Sequence, residues 1–168
     1  MRQVLLLTLL CLPACVSSTP LPPQAAGLAA HLSREERQHL EAIRHIHDGP
    51  SIVKRARESG TLAENVEWWV SGPAEILPFA GTWRGLDGIA EFHKKLAQTM
   101  RYDKVELQQY LVSGDDVAAI FIGEGIARAT GRAFRSEIVR LYTFRDGKVV
   151  RVRNYYDTAA YVAAVASP

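Results

Sequence analysis

Near its carboxyl end the chain reads FRDGKVVRVRNYYDTAAYV, residues 144–162. This stretch joins a hairpin turn, an alternating strand, and two tyrosines set beside an asparagine and an aspartate. Phenol and amide groups orient a ligand by hydrogen bonds, and a carboxylate takes up a proton. The knot therefore either lines a pocket or does chemistry in it. Asp157 stands just before Thr158 and is read as the cap of a terminal turn, not as a base. Thiol chemistry has little to work with, because both cysteines, Cys11 and Cys15, lie in the leader region. Of the five histidines, His39, His45 and His47 share one expected helix. The 45/47 spacing does not set two ligands on one helical face, and no carboxylate pattern accompanies it, so no metal and no cofactor are expected. His93 falls one position off the buried stripe of its own helix and is placed at a rim. Glu75 and Arg84 form either a gate over the pocket mouth or a surface pair worth under about 1 kcal/mol.

Positioning these groups falls to a single domain, which 168 residues suit. Apolar residues make up 48% and charged residues 23%, enough for a real core. The net charge of +2 comes from interleaved bases and acids, without the basic stripe that nucleic acid requires. Residues 1–14 combine Arg2 with an apolar run from Val4 to Leu12, too short to span a bilayer but suited to a signal peptide. Leu12-Pro13-Ala14-Cys15 resembles the bacterial lipobox, with Pro13 departing from its pattern. It implies Cys15 as a lipidated amino terminus, with ordinary cleavage, for example after Ser18, as the alternative. Either reading implies export, to a lipid anchor in the bacterial cell envelope in the first case and to a secreted or periplasmic location in the second, with membrane contact only through a lipid anchor. Residues 15–32, rich in proline, serine and small residues, read as a flexible tether before a domain over 33–168.

Within the domain, Ser33-Arg34-Glu35-Glu36 fits a capping box for a helix with Leu40, Ile43 and Ile46 on its apolar stripe, ended by Gly49 and Pro50. A second helix is expected from Ser51 to Glu58, stopping at Gly60, and Thr61 with Glu64 caps one more turn. Val66–Val70 reads as a strand whose adjacent Trp68 and Trp69 point to opposite faces. Ser71–Gly85 reads as a loop, and Leu86–Met100 as a helix buried through Ile89, Phe92, Leu96 and Met100. Four strands follow, over 104–112, 117–129, 133–144 and 148–156, with Asp146-Gly147 a strong hairpin turn. This is an α+β layout.

The segments LPFAGTWRGLDGIAEFHKKL (77–96) and ATGRAFRSEIVRLYTFRDGKVVRVRNYYDTAAY (129–161), with the helical lead from 34 to 58, resemble the nuclear transport factor 2-like superfamily in its SnoaL-like, ketosteroid-isomerase-like branch. The resemblance implies a cone-shaped domain. Its amino-terminal helices pack on a curved, mostly antiparallel sheet around an apolar pocket, and the outer sheet face often pairs with a second copy. It turns Ala119, Phe121, Gly123, Gly125 and Ala127 inward, then Ile138, Arg140, Tyr142 and Phe144, then Val150, Val152, Asn154 and Tyr156. Ile120, Ile122, Ile126, Val139, Leu141 and Tyr155 face outward among charges, as a homodimer surface or under a covering carboxyl-terminal segment.

Two mechanisms of the superfamily are not carried over. The isomerase base falls near Trp68, its helical tyrosine near Glu41 or Ala42, and its neutral carboxylic acid at Arg140. The Asp-Arg-Asp set of the epoxide hydrolases falls on Phe121, Gly123 and Asn154. The expected pocket is Trp68, Trp69, Phe121, Arg140, Tyr142, Asn154 and Tyr156, with an apolar wall that lacks a proton acceptor. Arg140 meets either a ligand carboxylate or sulfate, or an internal partner such as Glu67 or Glu137. Gly123 and Gly125 leave room for a ligand or host a bulge. Three functions stay open: a pocket protein holding a small, mostly apolar molecule; an isomerase, cyclase or hydratase using Tyr142, Tyr156, Asn154 or His93; and an envelope interaction module whose pocket is filled by Trp68 or Trp69 and Phe121.

Overall fold

The computed structural model describes residues 31–48 and 51–166. The expectations on the signal peptide, the lipidation of Cys15, the tether up to residue 30 and the helix stop at Gly49-Pro50 lie outside them. Helix α1 (Arg34–His47) opens with the full capping box: the Ser33 hydroxyl accepts from the Glu36 amide at 3.1 Å, and the Glu36 carboxylate accepts from the Ser33 amide at 2.8 Å. Helix α2 (Ile52–Ser59) is capped by Ser51 and closed by Gly60, whose φ of 66° is the left-handed conformation a helix end favours. Strand β1 (Leu62–Val70) starts at once, so the turn expected at Thr61 and Glu64 does not form; Thr61 bonds back to the Ser59 hydroxyl.

Strand β2 (Gly81–Arg84) lies inside the stretch expected to be all loop. It is four residues long and pairs antiparallel with the end of β1, a partner its own residues do not announce. Helix α3 (Gly85–Thr99) follows, and β3 (Met100–Ser113) takes over where Met100 turns to extended backbone, four residues before the expected start. Strands β4 (Asp116–Ala127), β5 (Ala133–Arg145) and β6 (Lys148–Tyr156) and helix α4 (Thr158–Val165) complete the order.

The six strands form one curved sheet ordered β2-β1-β6-β5-β4-β3, antiparallel except where β1 runs alongside β6. Alternation along β4 sends Val117, Ala119, Phe121, Gly123, Gly125 and Ala127 to the buried face, as expected. β5 buries Phe134, Ser136, Ile138, Tyr142 and Phe144. On β6 the register slips opposite Thr143 and Phe144, and Val149 rather than Val150 takes the buried place. The extra residue is a bulge, which shifts the alternation by one and then restores it at Val152 and Asn154.

The two strand glycines leave no room for a ligand. A Cβ at Gly123 would meet the Tyr102 ring at 2.8 Å, and one at Gly125 would meet the Arg101 carbonyl at 1.9 Å. They let β3 press onto β4 where the register between the two strands shifts at Tyr102 and Lys104. Helix α4 closes the inner side, with Tyr161 packed among Phe79, Phe134 and Tyr156. It is therefore not a cover for the outer face. Asp157 caps this helix, its side chain accepting from the Ala160 amide at 3.1 Å. Asp157→Ala should lower stability by about 1 kcal/mol, read from urea unfolding midpoints; no change would show that α4 holds by packing alone.

Candidate functional site

Arg140 and Tyr142 come from β5, Asn154 and Tyr156 from β6, Phe121 from β4 and Trp68 from β1. Register sets them side by side: Arg140 pairs with Asn154 and Ala119, and Trp68 with Val152. The Arg140 guanidinium lies 5.2 Å from the Trp68 ring centre and 5.5 Å from that of Phe121, within range of both aromatic faces. Its Nε donates to Asn154 Oδ1 at 2.6 Å, and the Asn154 amide donates to the Trp69 carbonyl at 3.1 Å. Asn154 is thus spent on orienting Arg140. Burial raises the phenols of Tyr142 and Tyr156, so both stay neutral hydrogen-bonding groups.

Among the described residues no carboxylate pairs with this cation. The partners weighed for it are engaged or remote: Glu67 pairs with Arg84 at 2.9 Å and Arg151 at 3.6 Å, and Glu137 is exposed. No ion pair among the described residues involves Arg140. Arg84 pairs with Glu67, so among the described residues neither the gate nor the surface pair weighed for Arg84 with Glu75 is formed.

The wall is not free of proton acceptors, contrary to expectation. His47, the last residue of α1, reaches Tyr142 Oη with Nε2 at 2.5 Å and Arg140 Nη1 at 3.4 Å, while its Nδ1 lies 3.4 Å from Tyr110 Oη. The arginine can only donate, so His47 Nε2 accepts and the proton sits on Nδ1. Tyr142 then donates to the same nitrogen, and its oxygen lies within hydrogen-bonding reach of Arg140. Burial, with the Arg140 charge second, lowers the His47 pKa to about 3. The imidazole is neutral and its lone pair is occupied. His93 lies against Phe92 and Trp68, with ring centres 4.7 and 5.9 Å away, and not at a rim. The same two causes, burial first, lower its pKa to about 4.

The sequence carried a signal for both. His47 is four residues past buried Ile43, and His93 four past buried Ile89, so each continues a helical stripe. Trp69 is the one expected pocket residue that the fold moves away. It follows inward Trp68, so it faces outward and packs edge-on against Tyr155 at 5.3 Å. Glu35, His39 and Asp115 bring possible metal-ligating atoms within 4.8 Å of one another, away from this pocket. Local spacing hid that group, because Asp115 arrives from the β3–β4 turn, and His39 Nδ1 is already held by the Gly114 carbonyl at 3.2 Å.

A curved sheet with helices on its inner side, and a polar cluster set among aromatic walls, defines the nuclear transport factor 2-like class, a fold that generally holds small molecules. The chain belongs to the SnoaL-like domain family, whose pattern matches residues 56–152. A nuclear transport factor 2-like protein from Burkholderia xenovorans LB400 superposes with a TM-score of 0.66 at 25% identity, covering 78% of this chain and 98% of that one. A protein from Jannaschia sp. CCS1 described as a SnoaL-like polyketide cyclase gives 0.68 at 20% identity, covering 82% and 97%. UPF0523 protein B of Dictyostelium discoideum is 29% identical over 109 residues, 59% of this chain; the chain spans 62% of that relative's length.

Proposed function

We propose that this protein binds a small, mostly apolar molecule through an anionic end seated on Arg140. One observation carries the reading: a guanidinium held between aromatic faces, with neutral partners only. An unpaired charge out of water costs several kcal/mol, which a ligand anion offsets. Asn154 and His47 take two of its N–H groups and the Tyr142 and Tyr156 hydroxyls lie beside it, all neutral, so a carboxylate or similar group would be its first counter-charge. Trp68, Phe121 and Tyr156 supply the flat walls that hold the rest of the molecule.

A panel of small aryl and alkyl carboxylates titrated into the parent and into Arg140→Leu tests this. The variant should lose at least about tenfold in affinity. Equal binding by both proteins would end the idea.

The catalytic reading, of the isomerase, cyclase or hydratase kind, draws on one fact: a neutral imidazole, His93, with an unpartnered buried nitrogen beside the pocket. His47 supports it less, since protein donors already occupy its acceptor atom. Export, a lipid on Cys15 and location in the bacterial envelope remain part of the proposal on the strength of residues 1–15. Among the described residues no helix is long and apolar enough to cross a membrane. The outer face, with Ile120, Ile122, Val139 and Leu141 half-buried and Tyr155 exposed, supports a homodimer.

A further inference from the structure

We infer that the molecule seated on Arg140 carries a hydroxyl close to its anionic end, received by the Trp68 indole N–H and the His93 imidazole. This rests on the anion reading above and narrows it to a hydroxylated acid. Three buried side-chain polar atoms among the described residues have no hydrogen-bond partner: Trp68 Nε1, His93 Nε2 and Arg153 Nε. Arg153 follows inward Val152 and belongs to the outer face. The other two are neighbours. Their ring centres are 5.9 Å apart, and the Trp68 ring is 5.2 Å from the Arg140 guanidinium. Trp68 is fully buried, so its N–H has no recourse to solvent.

Orphaned buried polar groups are rare in folded proteins, and two on adjacent rings beside an unpaired cation point to one missing partner. Their chemistry says which. An indole N–H only donates, while an imidazole nitrogen accepts or donates according to its tautomer. A hydroxyl accepts from the indole and donates to a bare Nε2, and its two lone pairs also serve a protonated one. A carbonyl fits only the second case. Burial holds the His93 ring neutral, with the Arg140 charge adding to the effect, so the imidazole does not compete with Arg140 for the anion. Small hydroxy-substituted aryl acids carry both groups and serve as probes.

The test compares benzoate, 3- and 4-hydroxybenzoate and 4-acetylbenzoate by titration calorimetry on the full domain. The parent should prefer one hydroxybenzoate over benzoate by about tenfold or more, because a site with unmet buried hydrogen bonds discriminates against the analogue lacking the group. Trp68→Phe keeps the ring and loses the N–H, and His93→Leu removes the imidazole. In either variant the ratio of hydroxybenzoate to benzoate affinity should fall to within about twofold, whatever happens to benzoate affinity itself. Two variants on different elements guard against one failing to fold, and circular dichroism checks both. Benzoate binding that depends on Arg140 but gains nothing from a hydroxyl would overturn this inference and leave the anion reading standing. A preference for the acetyl compound alone, or a hydroxyl preference intact in both variants, would overturn it too. Benzoate bound equally by Arg140→Leu, or no binding of any of these acids by the parent, would remove the anion reading and this one together.

Discussion

Gly125→Ala should unfold at far lower urea than the parent, with a loss above about 3 kcal/mol. A methyl at this position would sit 1.9 Å from the Arg101 carbonyl oxygen and 2.9 Å from the Tyr102 Cα. Both are backbone atoms of β3, so no side chain can swing aside. Relief requires β3 to lift off β4 at the register shift between Tyr102 and Lys104. Tyr102 would move with it, and its hydroxyl contact with Tyr161 on α4 would go too. Such a loss is a large share of the 5–15 kcal/mol that holds a typical domain together. Gly88 provides the contrast. It lies inside α3, and a methyl there would meet Trp83 at an ordinary 3.4 Å. Gly88→Ala should stabilise by up to about 1 kcal/mol through helix propensity. Urea midpoints for the two variants settle the matter, and a Gly125→Ala midpoint equal to the parent's would contradict the packing described.

Mild acid should weaken the fold well before the carboxylates titrate. His47 and His93 are held neutral in the native state, with pKa values lowered to about 3 and about 4 by burial first and Arg140 second. In the unfolded chain each takes a proton near pH 6.5. The unfolded state therefore binds more protons below that pH, and stability falls as pH falls. Above pH 6.5 the two residues contribute no pH dependence. From about 6.5 downward each removes up to about 1.4 kcal/mol per pH unit, levelling off near 4 for His93 and near 3 for His47. Urea unfolding at pH 7.0, 6.0 and 5.0 measures the slope. His47→Gln and His93→Gln should each cut it by about half. A parent midpoint constant from pH 7 to pH 5 would mean that the two rings are not sealed in as described.

Much of this architecture could be read from the chain because its signals are local. Ser33 with Glu36, Gly60, Asp146-Gly147 and Asp157 each act within a few residues, and the alternation of β4 and β5 carries the two faces of the sheet. What stayed hidden depends on which elements meet. β2 is four residues whose only claim to be a strand is the edge of β1. The β6 bulge depends on how β5 fits against it, so Val149 and Val150 trade places. Gly123 and Gly125 looked like space and prove to be points of close approach, because the occupant, β3, is distant in sequence. The Arg140 pocket was half visible. Its strand residues followed from the register that the family resemblance implies, while Trp69, expected in the pocket, faces outward because it follows inward Trp68. The two imidazoles come from helices, and no local pattern says which strand a helix will lie against.

One feature of the sheet bears on how the polypeptide becomes a finished domain. Among the described residues β6 is the last strand, yet it sits between β1 and β5 and joins them. The amino-terminal hairpin of β1 and β2 thus has no berth until the far end of the chain has formed. The β1–β6 pairing is a long-range parallel contact, the kind that closes late and slowly. Trp68 and Arg140 are brought together only across that seam, so the cluster around the guanidinium comes into existence in the same act that completes the domain.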